Sequence, residues 1–106
     1  MRNFVPEICE DIITFTAYEE EKNLGNCTFR LDGYKMYFLT VDCGDDIIAE
    51  GLARAAMNCA ANRNAYLAYI TAALYRPAFA RLGFKNADES FVEIPEALTG
   101  CACSHN

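Results

Sequence analysis

Residues 34–70, YKMYFLTVDCGDDIIAEGLARAAMNCAANRNAYLAYI, change hydrophobic pattern twice and decide the fold. Their first part, 34–41, is rich in aromatic and aliphatic residues, which is typical of a strand. Over 45–62 the apolar residues recur at helical spacing and leave one narrow polar stripe. The run 65–70 is again apolar and of strand length. A strand, a helix and a strand in succession predict a crossover that makes the two strands parallel.

The flanking segments extend this unit into one sheet. Runs 12–18 and 26–31 have strand composition, and the pair Asp32-Gly33 predicts a hairpin in which both central residues have positive φ. Downstream, we expect a short helix from Pro77 to a terminal Gly83, then a strand over 90–95 that Pro95 stops. The predicted order is β-β-β-α-β-α-β, an α+β fold with a mixed sheet and helices on its faces.

Length and charge limit the possible functions. The 106 residues are 53% hydrophobic and predict one domain, with a core over 12–95 and a cysteine-containing tail over 96–106 that lacks a clear period. Nine Lys and Arg against 15 Asp and Glu give a net charge of −6, which argues against nucleic acid or an anionic membrane as a partner. Neither a signal peptide nor a long apolar run is evident. We therefore expect a cytoplasmic protein with reduced cysteines.

The order of elements, with two short motifs, resembles the GNAT-type N-acetyltransferase fold. The motifs are Leu82-Gly83-Phe84 at the end of the second helix and Leu52-Ala53-Arg54-Ala55-Ala56-Met57 in the first, and the likeness covers residues 12–95. The resemblance implies a domain of the kind that moves an acyl group from coenzyme A to an amine. It also implies acetyl-CoA as cofactor, at the splayed ends of the third and fourth predicted strands.

The resemblance implies a cofactor loop at 43–51, where the family has an Arg/Gln-x-x-Gly-x-Gly/Ala motif. The cofactor-binding residues it implies are Val41 and the backbone groups of Cys43, Gly44, Asp45 and Ile47. This sequence has no Arg or Gln in the loop, and the β-branched Ile47 stands near the central glycine position. Asp45 and Asp46 also place carboxylates where phosphates would bind. We therefore predict a degenerate loop.

The implied catalytic position is also changed. The family commonly uses a tyrosine four residues before the glycine of its Leu-Gly-Phe, and that residue is Phe79 here. Tyr75, one helical turn earlier, is the candidate stand-in acid for the departing thiolate. The family also has a strand and two helices for acceptor recognition before the first predicted strand. Here only about eleven residues precede it, so we expect most of the acceptor pocket to be missing.

Other interpretations remain open. One is a non-catalytic binding or assembly module derived from the same fold. Another is a metal or redox role for Cys101, Cys103 and His105, whose alternate spacing is unusual for a structural zinc site; a simple mobile tail is the alternative. Cys43 is either an activated thiolate or a small buried hydrophobe. Finally, the helix over 46–62 is apolar around most of its circumference, so we predict a homodimer that covers it.

Overall fold

The computed structural model describes residues 2–103, with side chains through Thr99. The strands are β1 (Arg2–Cys9), β2 (Ile12–Glu19), β3 (Lys22–Asp32), β4 (Lys35–Asp42), β5 (Leu67–Thr71) and β6 (Glu89–Glu93). The helices are α1 (Asp46–Asn62), α2 (Pro77–Arg81) and α3 (Ile94–Cys103), with a 3₁₀ turn at Ala72–Leu74 before α2. None of these helices has both the length and the hydropathy that spanning a bilayer requires.

The six strands form one mixed sheet in chain order. Strands β1 to β4 are antiparallel neighbours, β5 is parallel to β4, and β6 is antiparallel to β5. The predicted α+β class, the antiparallel meander and the parallel crossover through α1 are confirmed. The core lies between the sheet and the helices, and its largest fully buried side chains include Phe29, Phe79, Met36 and Leu52.

The helices lie on one face of the sheet, so the expectation of helices on its faces is corrected. The buried strand residues alternate along each strand and share the face that packs against α1, as Ile13, Phe29 and Phe38 do in the register. Helices α2 and α3 both contact α1 on that same side. The opposite face, which we call the open face, is covered by no described helix. It carries the partly exposed row Ile12, Arg30, Tyr37, Tyr69 and Phe91.

Two elements lie where the sequence analysis places none. Strand β1 is an edge strand with nearly every residue exposed, and it tolerates Pro6 because an edge strand has no ladder bond on its outer side. Gly51 of α1 leaves room for Phe4 of β1, since a Cβ there would lie 2.7 Å from the Phe4 Cζ. Helix α3 begins at Ile94, so Pro95 lies in its first turn and does not end a strand.

Two turns also differ from expectation. The predicted loop over 19–25 is wrong, because β3 begins at Lys22 and only Glu20 and Glu21 form the turn. In the Asp32-Gly33 hairpin, Asp32 still pairs with Lys35 as the last residue of β3. The central residues are Gly33 and Tyr34, and only Gly33 has a positive φ (64°), which is the pattern of a type II′ turn. The prediction of two residues with positive φ is therefore wrong.

Candidate functional site: a cleft between two diverging strands

Strands β4 and β5 diverge at their carboxyl ends. They pair only from Lys35 to Tyr37 with Leu67 to Tyr69, after which β4 continues to Asp42 without β5. A bulge lies at the point of separation, because Phe29 pairs with Phe38 and Thr28 with Thr40. Leu39 is therefore an extra residue, and such a residue bends its strand. The result is a gap in the middle of the sheet.

A cleft of about 400 Å³ occupies this gap on the helix side. Its walls come from the end of β4, the first turn of α1, and the segment that links β5 to α2. The lining residues are Val41, Asp46, Ala73, Leu74, Tyr75, Arg76 and Pro77. The cleft therefore combines apolar walls with a phenol, a carboxylate and a guanidinium.

Arg76 joins the two sides of the cleft. Its Nε and Nη2 both lie 2.7 Å from Oδ1 of Asp46, and its Nη1 donates to the Cys43 carbonyl oxygen at 2.8 Å. The Asp46 and Arg76 side chains are 34% and 23% exposed, so the pair is partly shielded from water. Arg76 is not among the residues that the sequence predicts for the site. The sequence feature that could have indicated Arg76 is a cation directly before Pro77, the residue at which the second helix is predicted to begin.

The first amides of α1 already have a partner. Asp45 is the N-cap, and its Oδ1 accepts from the amides of Ile47 at 2.7 Å and Ile48 at 3.4 Å. Asp46 lies in the first turn of the helix. The Ile47 side chain is 68% exposed and Gly44 has open space where a Cβ would lie. Neither residue lines the cleft.

The loop after β4 is held against β3. The Cys43 Sγ lies 3.5 Å from the carbonyl oxygen of Leu24 and 3.3 Å from that of Asp45, and its single S–H can donate to either one. Gly25 permits this approach, since a Cβ on it would lie 2.7 Å from the Asp42 carbonyl oxygen, and its φ is +147°. Cys43 is half-buried. Its contribution to the cleft is its carbonyl group, which anchors Arg76.

Tyr75 and Phe79 lie in different surroundings. Tyr75 follows the 3₁₀ turn and lines the cleft together with Val41. Phe79 is fully buried, with its ring centroid 5.1 Å from that of Phe38 and 5.4 Å from that of Phe84, both edge-to-face. The structure thus brings two of the predicted residues, Val41 and Tyr75, to one cleft, and it places Phe79 in the core.

An ion-pair network fixes α2 against α1. Glu50 accepts from Arg54 Nε, one helical turn later, at 3.2 Å and from Arg81 Nε at 2.7 Å. These hydrogen bonds, chiefly that from Arg81, hold the pKa of Glu50 below its usual 4.5. Because Arg76 and Tyr75 directly precede α2, this network helps to position one wall of the cleft.

The same gap has a smaller cavity on the open face. It measures about 180 Å³ and is lined by Arg30, Tyr37, Phe38, Leu39, Tyr69, Ile70, Thr71 and Glu89. Tyr37 and Tyr69 stack at 5.0 Å between centroids, and the Arg30 guanidinium lies 4.8 Å from the centre of the Tyr37 ring. The point where β4 and β5 separate is therefore indented on both faces of the sheet.

No described cluster suggests a metal centre. Among residues whose side chains are described, no three His, Cys, Asp or Glu side chains are grouped so that they could hold a metal ion. The side chains of Cys101, Cys103 and His105 lie outside the described residues.

Comparison with solved structures identifies the fold. No family model and no curated protein matches the chain. Aminoglycoside 6'-acetyltransferase type Ii is similar with a TM-score of 0.68 at 15% identity, covering 80% of this chain and 70% of that one. The PaiA N-acetyltransferase from Thermoplasma acidophilum, in complex with coenzyme A, gives a TM-score of 0.61 at 14% identity, covering 76% of this chain and 58% of that one.

A third structure agrees with these two. The GNAT family N-acetyltransferase YhbS from Escherichia coli, in complex with CoA, gives a TM-score of 0.62 at 13% identity, covering 83% of this chain and 62% of that one. This chain therefore has the fold of the GNAT N-acetyltransferases, and it covers 58–70% of the length of these three chains. At these identities the likeness establishes the fold alone.

Proposed function

We propose that this protein binds an acyl-CoA in the cleft between β4 and β5 and transfers the acyl group to an amine. The observation that carries the proposal is the divergence of the two strands, which opens a cleft lined by Val41, Tyr75 and Arg76. Two of the structurally similar acetyltransferases are complexes with coenzyme A. They support the choice of ligand.

The lining of the cleft suits different parts of such a ligand. Val41, Leu74 and Pro77 offer apolar surface to a pantetheine arm, while Arg76 is a cation that can pair with phosphate. A volume of about 400 Å³ is within the range of small-molecule sites. The ligand would supply a thioester, whose carbonyl carbon is the electrophile.

Tyr75 is the residue of the cleft that can act as an acid. If an amine nitrogen attacked the thioester carbonyl carbon of a bound acyl-CoA, a carbon–nitrogen bond would form as the carbon–sulfur bond broke, and the phenol of Tyr75 would be placed to protonate the leaving thiolate. The proton that the amine loses passes to water, and the tyrosinate is reprotonated from water. A positioned acid of this kind contributes roughly 10²- to 10⁴-fold to a rate.

Two measurements on the full chain test the proposal. First, millimolar acetyl-CoA should raise the Tm by roughly 10–20 °C, because a ligand at 100 times its Kd adds about 2.7 kcal/mol. Second, free CoA thiol should appear when a panel of primary amines is added. Tyr75→Phe should retain binding and lose about 100-fold in turnover. Tyr34→Phe, an exposed hairpin residue, is the matched control and should behave as wild type.

The burial of Phe79 favours a second candidate, a domain that binds the cofactor without transferring the acyl group. The family's tyrosine position contributes no hydroxyl here, and Asp45 already accepts from the first amides of α1. Calorimetric binding of acetyl-CoA with no release of CoA for any amine would select this candidate. Absence of binding would reject both.

A further inference from the structure

Arg76 and Asp46 are half-buried partners facing the same cleft, and their contact suggests a competition. We propose that Arg76 is the cation that binds the phosphates of the cofactor, and that Asp46 is an internal anion which occupies Arg76 until a phosphate displaces it. This inference rests on the proposed function, because it concerns the same cleft. It predicts that the chain restrains its own affinity for phosphate-bearing ligands.

The geometry of the guanidinium supports this assignment. Arg76 is the N-cap of α2 with extended backbone, and Pro77 follows it directly. Two of its nitrogens converge on Asp46 Oδ1 at 2.7 Å and a third reaches the Cys43 carbonyl at 2.8 Å. A guanidinium has five N–H donors in a rigid fork, and these contacts engage three of them, so a phosphate can take the Nε–Nη2 edge only by displacing Asp46. Carboxylate and phosphate bind this fork in the same way.

Two backbone amides in the first turn of α1 that could bind phosphate already have a partner. The α1 amides of Ile47 and Ile48 donate to Asp45, so they are not available without loss of the cap. Among the lining residues Arg76 is the one cation, and Asp46 is the one anion. A phosphate entering the cleft therefore meets a cation whose charge Asp46 already balances.

A purely structural role for the pair predicts something different. If Asp46 and Arg76 only brace the two sides of the cleft, removing either one should weaken all ligands of the cleft together. If they compete with phosphate, removing Asp46 should strengthen phosphate-bearing ligands and removing Arg76 should weaken them. Ligands without phosphate should be insensitive to both changes.

The experiment compares CoA with pantetheine, which lacks the phosphates, by calorimetry on the full chain. Asp46→Asn should tighten CoA binding about tenfold and leave pantetheine unchanged, since a charge-assisted contact corresponds to roughly that factor. Asp42→Asn, an exposed residue at the end of β4, makes the same change in net charge and is the matched control. It should alter CoA affinity by less than about twofold.

Variants of Arg76 test the inference independently of Asp46. Arg76→Gln should weaken CoA about tenfold without affecting pantetheine, and Arg76→Lys should recover part of that loss, because it keeps the charge and loses the fork. Equal weakening of CoA and pantetheine in Asp46→Asn, or no change in either, would overturn the inference and leave the proposed function standing.

Inorganic pyrophosphate separates the inference from the proposed function. If CoA fails to bind any variant but pyrophosphate stabilises Asp46→Asn more than wild type, the competition is real and the proposed function fails. If neither CoA nor pyrophosphate stabilises wild type or Asp46→Asn, both proposals are overturned.

Discussion

Replacing Phe79 by tyrosine tests whether the missing hydroxyl could simply be restored. Phe79 has no exposed surface and is enclosed by Phe38 and Phe84 in edge-to-face contact. Its ring is separate from the cleft lining, which Tyr75 reaches. A hydroxyl added to Phe79 would therefore be buried among aromatic rings and would not lie beside a bound thioester.

The expected cost follows from burying an unpaired polar group. A buried hydroxyl without a partner costs about 1–3 kcal/mol. For a domain of about this size, each kcal/mol lowers Tm by roughly 4–8 °C. Phe79→Tyr should thus unfold roughly 5–20 °C below wild type, and it should release CoA thiol no faster than wild type.

The assay is thermal unfolding by circular dichroism beside the thiol-release measurement. Phe91→Tyr is the matched control, because Phe91 is 58% exposed on the open face and its added hydroxyl meets water. It should keep the wild-type Tm. If Phe79→Tyr kept the wild-type Tm and raised turnover, the ring of Phe79 would have to face the cleft, and the reasoning would be refuted.

Three further predictions concern stability and reactivity. The pKa of Glu50 is lowered in the folded state, so its carboxylate stabilises the fold fully above the unfolded pKa of 4.5, and this stabilisation is lost as the pH falls through the folded pKa. The difference in Tm between wild type and Glu50→Gln should therefore shrink from about pH 7 to about pH 3. A constant difference would contradict this prediction. Burial raises the pKa of the Cys27 thiol to about 12, so an alkylating reagent at about pH 8 should modify the exposed Cys9 before the buried Cys27. Mass spectrometry measures the two rates of modification, and equal rates would contradict this prediction. Asp45→Ala removes the α1 cap and should cost about 1 kcal/mol in denaturant unfolding, whereas an unchanged midpoint would show that the cap contributes nothing.

The central part of the fold could be predicted because its sequence pattern is local. The period of α1 and the apolar run of β5 each depend on neighbouring residues, and the structure reproduces them. The resemblance to GNAT acetyltransferases rested on the same elements. The short pairing of β4 with β5 confirms the splayed ends that it implied.

The missed elements depend on contacts distant in sequence. Strand β1 has almost no buried residue, so no hydrophobic pattern marks it, and its contact with α1 runs through Phe4 and Gly51. Helix α3 starts on Ile94, which is fully buried, and Pro95 lies in its first turn, whereas the sequence pattern predicts that Pro95 ends a strand. A proline fits both positions, so the sequence alone does not separate them.

Only some residues of the cleft could be predicted, because the cleft also depends on contacts between residues distant in sequence. Val41 and Tyr75 were selected from the resemblance, whereas Arg76 was missed because its partner Asp46 is distant in the chain. The predicted homodimer stays a prediction. Helices α2 and α3 contact α1 and supply some of the cover that this apolar helix needs.

The central claim is that acyl-CoA binds between β4 and β5, and amide NMR of the ¹⁵N-labelled chain titrated with CoA tests it most directly. The account predicts that shift changes concentrate at Val41, Asp46, Tyr75 and Arg76, with the β1–β2 turn at Glu10 unchanged. Shift changes confined to the open face, or none at millimolar CoA, would contradict it.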